Sequence, residues 1–174
     1  VGESVLGDPV IVIEQDDAGV TVRTDRRELR ARYAVVALAP ALSGRIRYSP
    51  PLPAARDALS QQMPLGPGTK AIAMFERPWW REQGLSGLAM ADSGIVQLVY
   101  DASPIDGSCG VLAAFVVGQA AREIGPMPAQ DRRRAILAAM ARLFGLNELA
   151  PLAYRDYPWD LDPWSRGAAA GHMG

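Results

Sequence analysis

Three side chains stand apart by their scarcity. The chain has one histidine, His172, one cysteine, Cys109, and a single lysine, Lys70, beside 17 arginines. A nucleophile needs a base within reach, yet no spacing or elbow motif around Cys109 and His172 makes them a catalytic pair. Ser86, in Gly84-Leu-Ser-Gly87, does not match the nucleophile-elbow pattern either. One histidine cannot build a His-His metal pair, and one cysteine cannot build a disulfide, a cysteine zinc site or a CxxC redox pair. The expectation is no metal. Gly66-Pro-Gly-Thr-Lys-Ala71 formally matches a dinucleotide fingerprint. That motif needs a strand before it and a helix after it, so that the helix N-terminus meets the pyrophosphate. Here the order is reversed, Pro67 removes a donor, and Lys70 lacks the context of a P-loop lysine. Arg132-Arg-Arg134 reads as a solvated helix face rather than a binding patch.

Lys70 is harder to set aside. A lysine near the start of an apolar strand either snorkels to water or sits in a functional cavity. In a chain that uses arginine everywhere else, lysine suits a place that needs a compact ammonium of tunable basicity. Pattern alone leaves both readings standing, snorkelling being the more ordinary.

The elements that must position these groups follow from periodicity. Residues 9–14 and 20–24 read as a hairpin around Asp16, Asp17 and Gly19, and 28–33 alternates as a further strand. Residues 34–39, apolar throughout, read as a strand buried on both faces, whose partner layers the first forty residues do not supply. Pro40, Pro50, Pro51 and Pro53 punctuate a long connection, and Pro53 suits the start of a helix over 54–62. Thr69 to Phe75 reads as a strand with Lys70, Ile72 and Met74 on one face and Ala71, Ala73 and Phe75 on the other. Pro78-Trp79-Trp80-Arg81 starts a short turn, and strands are expected near 85–91, 95–101, 110–117 and 152–157. The clearest helix is 129–145, with Ile136, Met140, Leu143 and Phe144 on one stripe, Arg132, Arg133 and Arg142 away from it, and Gly145 as its stop. The class is α+β, a mixed and mostly antiparallel sheet flanked by helices, preceded by a small β-meander.

Composition narrows the function classes. Apolar residues make up 49%, charged residues 21%, and the net charge is −1, which excludes disorder and lacks the basic footprint of a nucleic-acid binder. No apolar run is long enough for a spanning helix. The chain starts at Val1 without a secretory signal and stops after Ala168-Ala169-Ala170-Gly171, so both ends read as cut. With one unpaired cysteine, a cytoplasmic location is expected.

The run Pro64-Leu-Gly-Pro-Gly-Thr-Lys70, an apolar strand and then Pro78-Trp79-Trp80 resembles the flavin-dependent monoamine oxidase family. Pro9-Val10, the 34–40 segment, Ile46 through Pro50-Pro-Leu-Pro53, and Trp159 through Trp164-Ser165-Arg166-Gly167 fit in order and spacing, so the resemblance covers essentially the whole chain. It implies that residues 1–44 are strands of an incomplete FAD-binding domain, 45–157 the substrate-binding domain, and 158–174 a return segment toward the FAD site. Lys70 then matches the lysine that holds a water against flavin N5 and assists reoxidation by oxygen. Val10, Ala39, Pro40, Trp164 and Ala168 match cofactor-binding positions; Met90, Leu98 and Ala169 match substrate-binding ones.

The implied reaction is oxidative deamination of a small-molecule amine with release of hydrogen peroxide. The missing FAD-domain segments are implied partners, FAD binding by this piece alone is expected to be weak or absent, and the piece alone is expected to be inactive. A homo-oligomer stays open; nucleic acid and membrane are not implied. Ala168 stands where mammalian-type enzymes carry a flavin-linking cysteine, so FAD is expected to be non-covalent. Ala169 replaces an aromatic wall, which implies a wider site for bulkier or aliphatic amines. The alternatives are a flavin-free binding module of the same architecture, or a polyamine- or amino-acid-oxidase relative. A carboxylate-binding arginine would favour an amino-acid substrate, and 17 arginines leave it unassigned.

Overall fold

The computed structural model describes residues 2–170, with side chains through Ala168. It divides into two compact units, one ending at Pro64 and one running from Leu65 to Ala169.

In the first unit, β1 (Val10–Asp16) and β2 (Gly19–Thr24) form the expected hairpin. Its turn is held by Asp16, whose Oδ1 accepts the Ala18 N–H at 2.8 Å and the Gly19 N–H at 3.1 Å. The strand β3 (Glu28–Ala31) continues the meander. After α1 (Pro40–Ser43), the strand β4 (Arg47–Ser49) lies parallel to β1, giving the order β3-β2-β1-β4. This sheet is the mixed one. Arg23 on β2 reaches Glu14 at 3.0 Å and Glu28 at 3.3 Å, pinning three strands at an exposed site worth less than about 1 kcal/mol. The helix α2 (Ala54–Gln62) forms as expected, capped by the Pro53 carbonyl.

Residues 34–39 correct the sequence reading. They form no strand, and Val35 is 91% exposed. A buried strand needs neighbours for its N–H and C=O groups and a layer over each face. An apolar run carries the composition of such a strand whether or not those neighbours are at hand, and here no strand pairs with it among the described residues.

The second unit comprises β5 (Leu65–Gly66), β6 (Gly68–Phe75), α3 (Trp79–Glu82), β7 (Ala89–Met90), β8 (Leu98–Asp101), β9 (Gly110–Val117), α4 (Gly118–Ile124), α5 (Ala129–Leu143) and β10 (Ala153–Pro158). Five of its strands form a sheet in the order β10-β6-β9-β8-β7, antiparallel throughout. One face carries the core: Ala71, Ala73, Leu112, Ala114 and Val116 pack against Ile124, Ile136 and Met140 of the two longer helices. The α5 stripe is as the period demands, with Ile136 and Met140 fully buried. The helix α4 was not legible in the sequence. The chain turns from β9 directly into it at Gly118, whose φ of +62° is left-handed and favours glycine. Trp80, fully buried, meets Phe75 at 6.0 Å and Trp79 at 5.3 Å, both edge-to-face.

Arg132 is the second correction. It is not solvated. Its Nε donates to Asp156 Oδ1 at 2.8 Å, and its Nη1 donates to the Gly125 and Met127 carbonyls at 3.1 and 2.9 Å. Asp156 also accepts the Tyr154 hydroxyl at 2.9 Å. The guanidinium can be buried because its charge is paired with Asp156 and its Nη1 N–H groups meet carbonyls. This network fastens β10 to α5.

Candidate functional site

Alternation along β6 sends Thr69, Ala71, Ala73 and Phe75 toward the helices and leaves Lys70, Ile72 and Met74 on the open face. Register decides what flanks Lys70. It lies opposite Phe115 of β9 on one side and Tyr157 of β10 on the other. Phe115 lies opposite Leu98 of β8, and Leu98 opposite Met90 of β7. Met90, Leu98, Phe115, Lys70 and Tyr157 thus make one row across the sheet, with adjacent Cβ atoms about 5 Å apart. The Lys70 ammonium stands 5.4 Å from the Phe115 ring centroid, and that ring stacks on Tyr100 at 5.8 Å and 20°. The row is apolar and aromatic with one cation in it.

The segment after β10 folds back beside this row. Trp159 packs edge-to-face on Tyr157 at 4.8 Å, and its N–H donates to the Gly68 carbonyl at 2.9 Å. The Tyr157 hydroxyl donates to Asp162 Oδ2, while Asp162 Oδ1 accepts the Trp164 and Ser165 N–H groups at 2.8 and 2.7 Å. The hydroxyl and these N–H groups hold the Asp162 carboxyl below the ordinary carboxylate range, and the same carboxylate pushes the Tyr157 hydroxyl above its ordinary value. Ala168 N–H donates to the Gly66 carbonyl at 3.0 Å. A Cβ on Gly68 would stand 2.8 Å from the Ala168 Cβ, so only glycine allows this approach.

Two clusters on the helix side hold the row's strands. One is Arg132 with Asp156. The other is Asp101 at the end of β8, which accepts from Trp80 Nε1 at 2.9 Å, Arg81 Nε at 2.8 Å and Ser103 N at 2.8 Å. Burial alone would raise the Asp101 carboxyl, but the hydrogen bonds from Ser103, Trp80 and Arg81 outweigh it and hold the group well below its usual range.

The structure brings Lys70, Met90 and Leu98 into one row. It places Trp164 and Ala168 in the same unit, with Ala168 against Gly68. Val10, Ala39 and Pro40 lie in the first unit: Val10 opens β1, Ala39 caps α1, and Pro40 is that helix's first residue. Ala169 opens a final two-residue strand, and its side chain, like all of His172, lies outside the described residues. Cys109 is a free thiol just before β9. Sequence reasoning missed Phe115, Tyr157 and Asp162, because only the register of distant strands puts them beside Lys70. Among the described residues no cluster of three or more His, Cys, Asp or Glu could hold a metal, and no helix is long and apolar enough to cross a membrane.

A flat wall of apolar and aromatic side chains with one ammonium donor fits a planar heteroaromatic group bearing acceptor atoms, and the flavin ring is such a group. Residues 2–172 match the family described as flavin containing amine oxidoreductase. The chain belongs to that family. It is 39% identical to an L-amino acid dehydrogenase of Synechocystis, over 99% of this chain and 37% of that protein. A solved structure of wild-type putrescine oxidase bound to putrescine superposes with a TM-score of 0.83 at 36% identity, over 95% of this chain and 37% of that one. Cyclohexylamine oxidase from Brevibacterium oxydans superposes with a TM-score of 0.82 at 30% identity, over 92% and 36%. The chain thus spans little more than a third of the length of these relatives. The expected fold and the expected family both hold.

Proposed function

We propose that this chain is the substrate-facing part of an FAD-dependent amine oxidase that converts an amine to its imine, which water hydrolyses to the carbonyl compound and ammonia. The observation that carries this reading is the single ammonium, Lys70, set in an apolar and aromatic row on the open face of the sheet. When bound, FAD accepts the two electrons of the amine's oxidation and passes them to dioxygen, which leaves as hydrogen peroxide.

The chain's own residues do the rest. Met90, Leu98 and Phe115 wall the substrate side and exclude water. Lys70 would hold a water through its ammonium and could donate a hydrogen bond where dioxygen is reduced. Trp164 and Ala168, on the return segment, flank the cofactor, and Val10, Ala39 and Pro40 contribute from the first unit. Ala168 offers no thiol, so the cofactor is held non-covalently. In the division this proposal uses, residues 1–44 serve the FAD domain, 45–157 the substrate domain and 158–174 the return to the cofactor; the piece alone is inactive. Ala169 leaves room for aliphatic or bulky amines. The free thiol of Cys109 suits a reducing, cytoplasmic setting.

The test is the full-length protein. Its yellow cofactor should come off on acid precipitation, and amine-dependent peroxide should appear at the rate of amine loss. A full-length protein that binds no FAD would overturn the reading in favour of a flavin-free binding module.

A further inference from the structure

Charge is sorted across the five-stranded sheet of the second unit. Its strands carry four ionised side chains: Lys70, Asp101, Arg155 and Asp156. Both acids lie on the helix-covered side and are paired, Asp101 with Arg81 and Asp156 with Arg132. Both cations lie on the open face. Arg155 lies opposite Ile72 and Lys70 opposite Tyr157, so the two cations occupy diagonal positions, about 7 Å apart at Cβ. Neither has an ion pair among the described residues. In the segment that folds back beside this face, Asp162 has both oxygens engaged by Tyr157, Trp164 and Ser165, while Asp160 keeps one buried oxygen without a hydrogen-bond partner among the described residues. Two neighbouring cations on an apolar, aromatic face make a positive site to which an anion is complementary.

From this sorting we infer that the substrate is an amine bearing its own carboxylate, an α-amino acid, and that Arg155 is the residue that binds that carboxylate. The inference rests on the amine-oxidase reading of the same face. Of the chain's 17 arginines, Arg155 is the one carried by the strands of this sheet, on its open face. A guanidinium matches a carboxylate two N–H to two O, which fixes orientation as well as charge. A diamine would bring a second cation to a face that already holds two and whose strands place no carboxylate on it among the described residues. The apolar side chains of Leu98 and Phe115 suit an aliphatic amino acid.

The experiment uses the flavin-loaded full-length enzyme and three compounds that share an isobutyl group: L-leucine, 3-methylbutylamine, which lacks the carboxylate, and 4-methylpentanoate, which lacks the amine. The wild type should oxidise leucine with a kcat/KM at least about 100-fold above that of 3-methylbutylamine. Arg155→Met should cut that ratio about 100-fold, chiefly through the KM for leucine, and Arg155→Lys should recover part of it. Calorimetric titration with 4-methylpentanoate should show affinity at least about tenfold weaker in Arg155→Met than in wild type. Retained flavin absorbance in Arg155→Met is also expected, and its loss would assign Arg155 to the cofactor instead, overturning the inference. A wild type that prefers 3-methylbutylamine, or a ratio unmoved by Arg155→Met, overturns it while leaving the amine-oxidase reading intact. If the enzyme oxidises neither compound, or if 4-methylpentanoate affinity is unchanged in Arg155→Met, the inference falls, whereas the amine-oxidase reading falls only if the full-length protein binds no FAD.

Discussion

The two faces of the second unit's sheet are built from the same strands and obey opposite rules. On the helix side, both charges that the strands carry are answered within the chain: Asp156 by Arg132, which also meets two carbonyls, and Asp101 by Arg81, Trp80 and Ser103. On the open side, Lys70 and Arg155 face outward among apolar and aromatic neighbours without an ion pair among the described residues. The first face is complete in itself and stabilises the fold. The second is complementary to something else, and that difference is the functional statement. Substitutions on the two faces should therefore separate stability from chemistry.

The largest stability effect should come from breaking the buried ion pair. Arg132→Met leaves Asp156 buried without its cation, and urea unfolding should show a loss of about 3–5 kcal/mol. Leu112→Ala, fully buried on the same side, should lose about 2–5 kcal/mol in the same assay. Met74→Ala, on the open face of the neighbouring strand and 37% exposed, should lose well under about 1 kcal/mol. Equal losses at Leu112 and Met74 would mean that the open face is packed too, and the comparison would fail.

Acid should weaken the helix side. The folded-state carboxyl of Asp101 lies below its unfolded value, so its contribution is fully present above about pH 4 and is lost as pH falls below that. Asp101→Asn should lower stability at pH 7 by about 1 kcal/mol and flatten the pH dependence between about pH 4 and 2, measured by thermal melts across that range. An unchanged acid limb would show that the Trp80, Arg81 and Ser103 contacts do not hold the ionised form.

How much of this was legible before the structure depends on range along the chain. The strand holding Lys70 and its two faces, the helix at 54–62 and the stripe of Ile136 and Met140 follow from local period, and the structure has them. The 34–39 run failed because composition shows what a segment prefers, not whether a partner lies beside it. Arg132 failed for a related reason: its partner Asp156 is 24 residues away on another element, so helix periodicity could only class it as polar. The row itself joins residues as distant as Lys70 and Tyr157 through strand register, which no local pattern encodes. What sequence did supply was the identity of Lys70 as the one lysine, and family motifs that placed it on the right strand.

The most direct test of the account is the rate at which reduced flavin is reoxidised by dioxygen in the full-length enzyme carrying Lys70→Met, followed by stopped-flow absorbance. Reoxidation should slow by at least about a hundredfold, the lower end of what a positioned proton donor contributes, with flavin content and melting temperature near wild type. Reoxidation at the wild-type rate, with flavin bound, would contradict the claim that this face of the sheet is where the chemistry occurs.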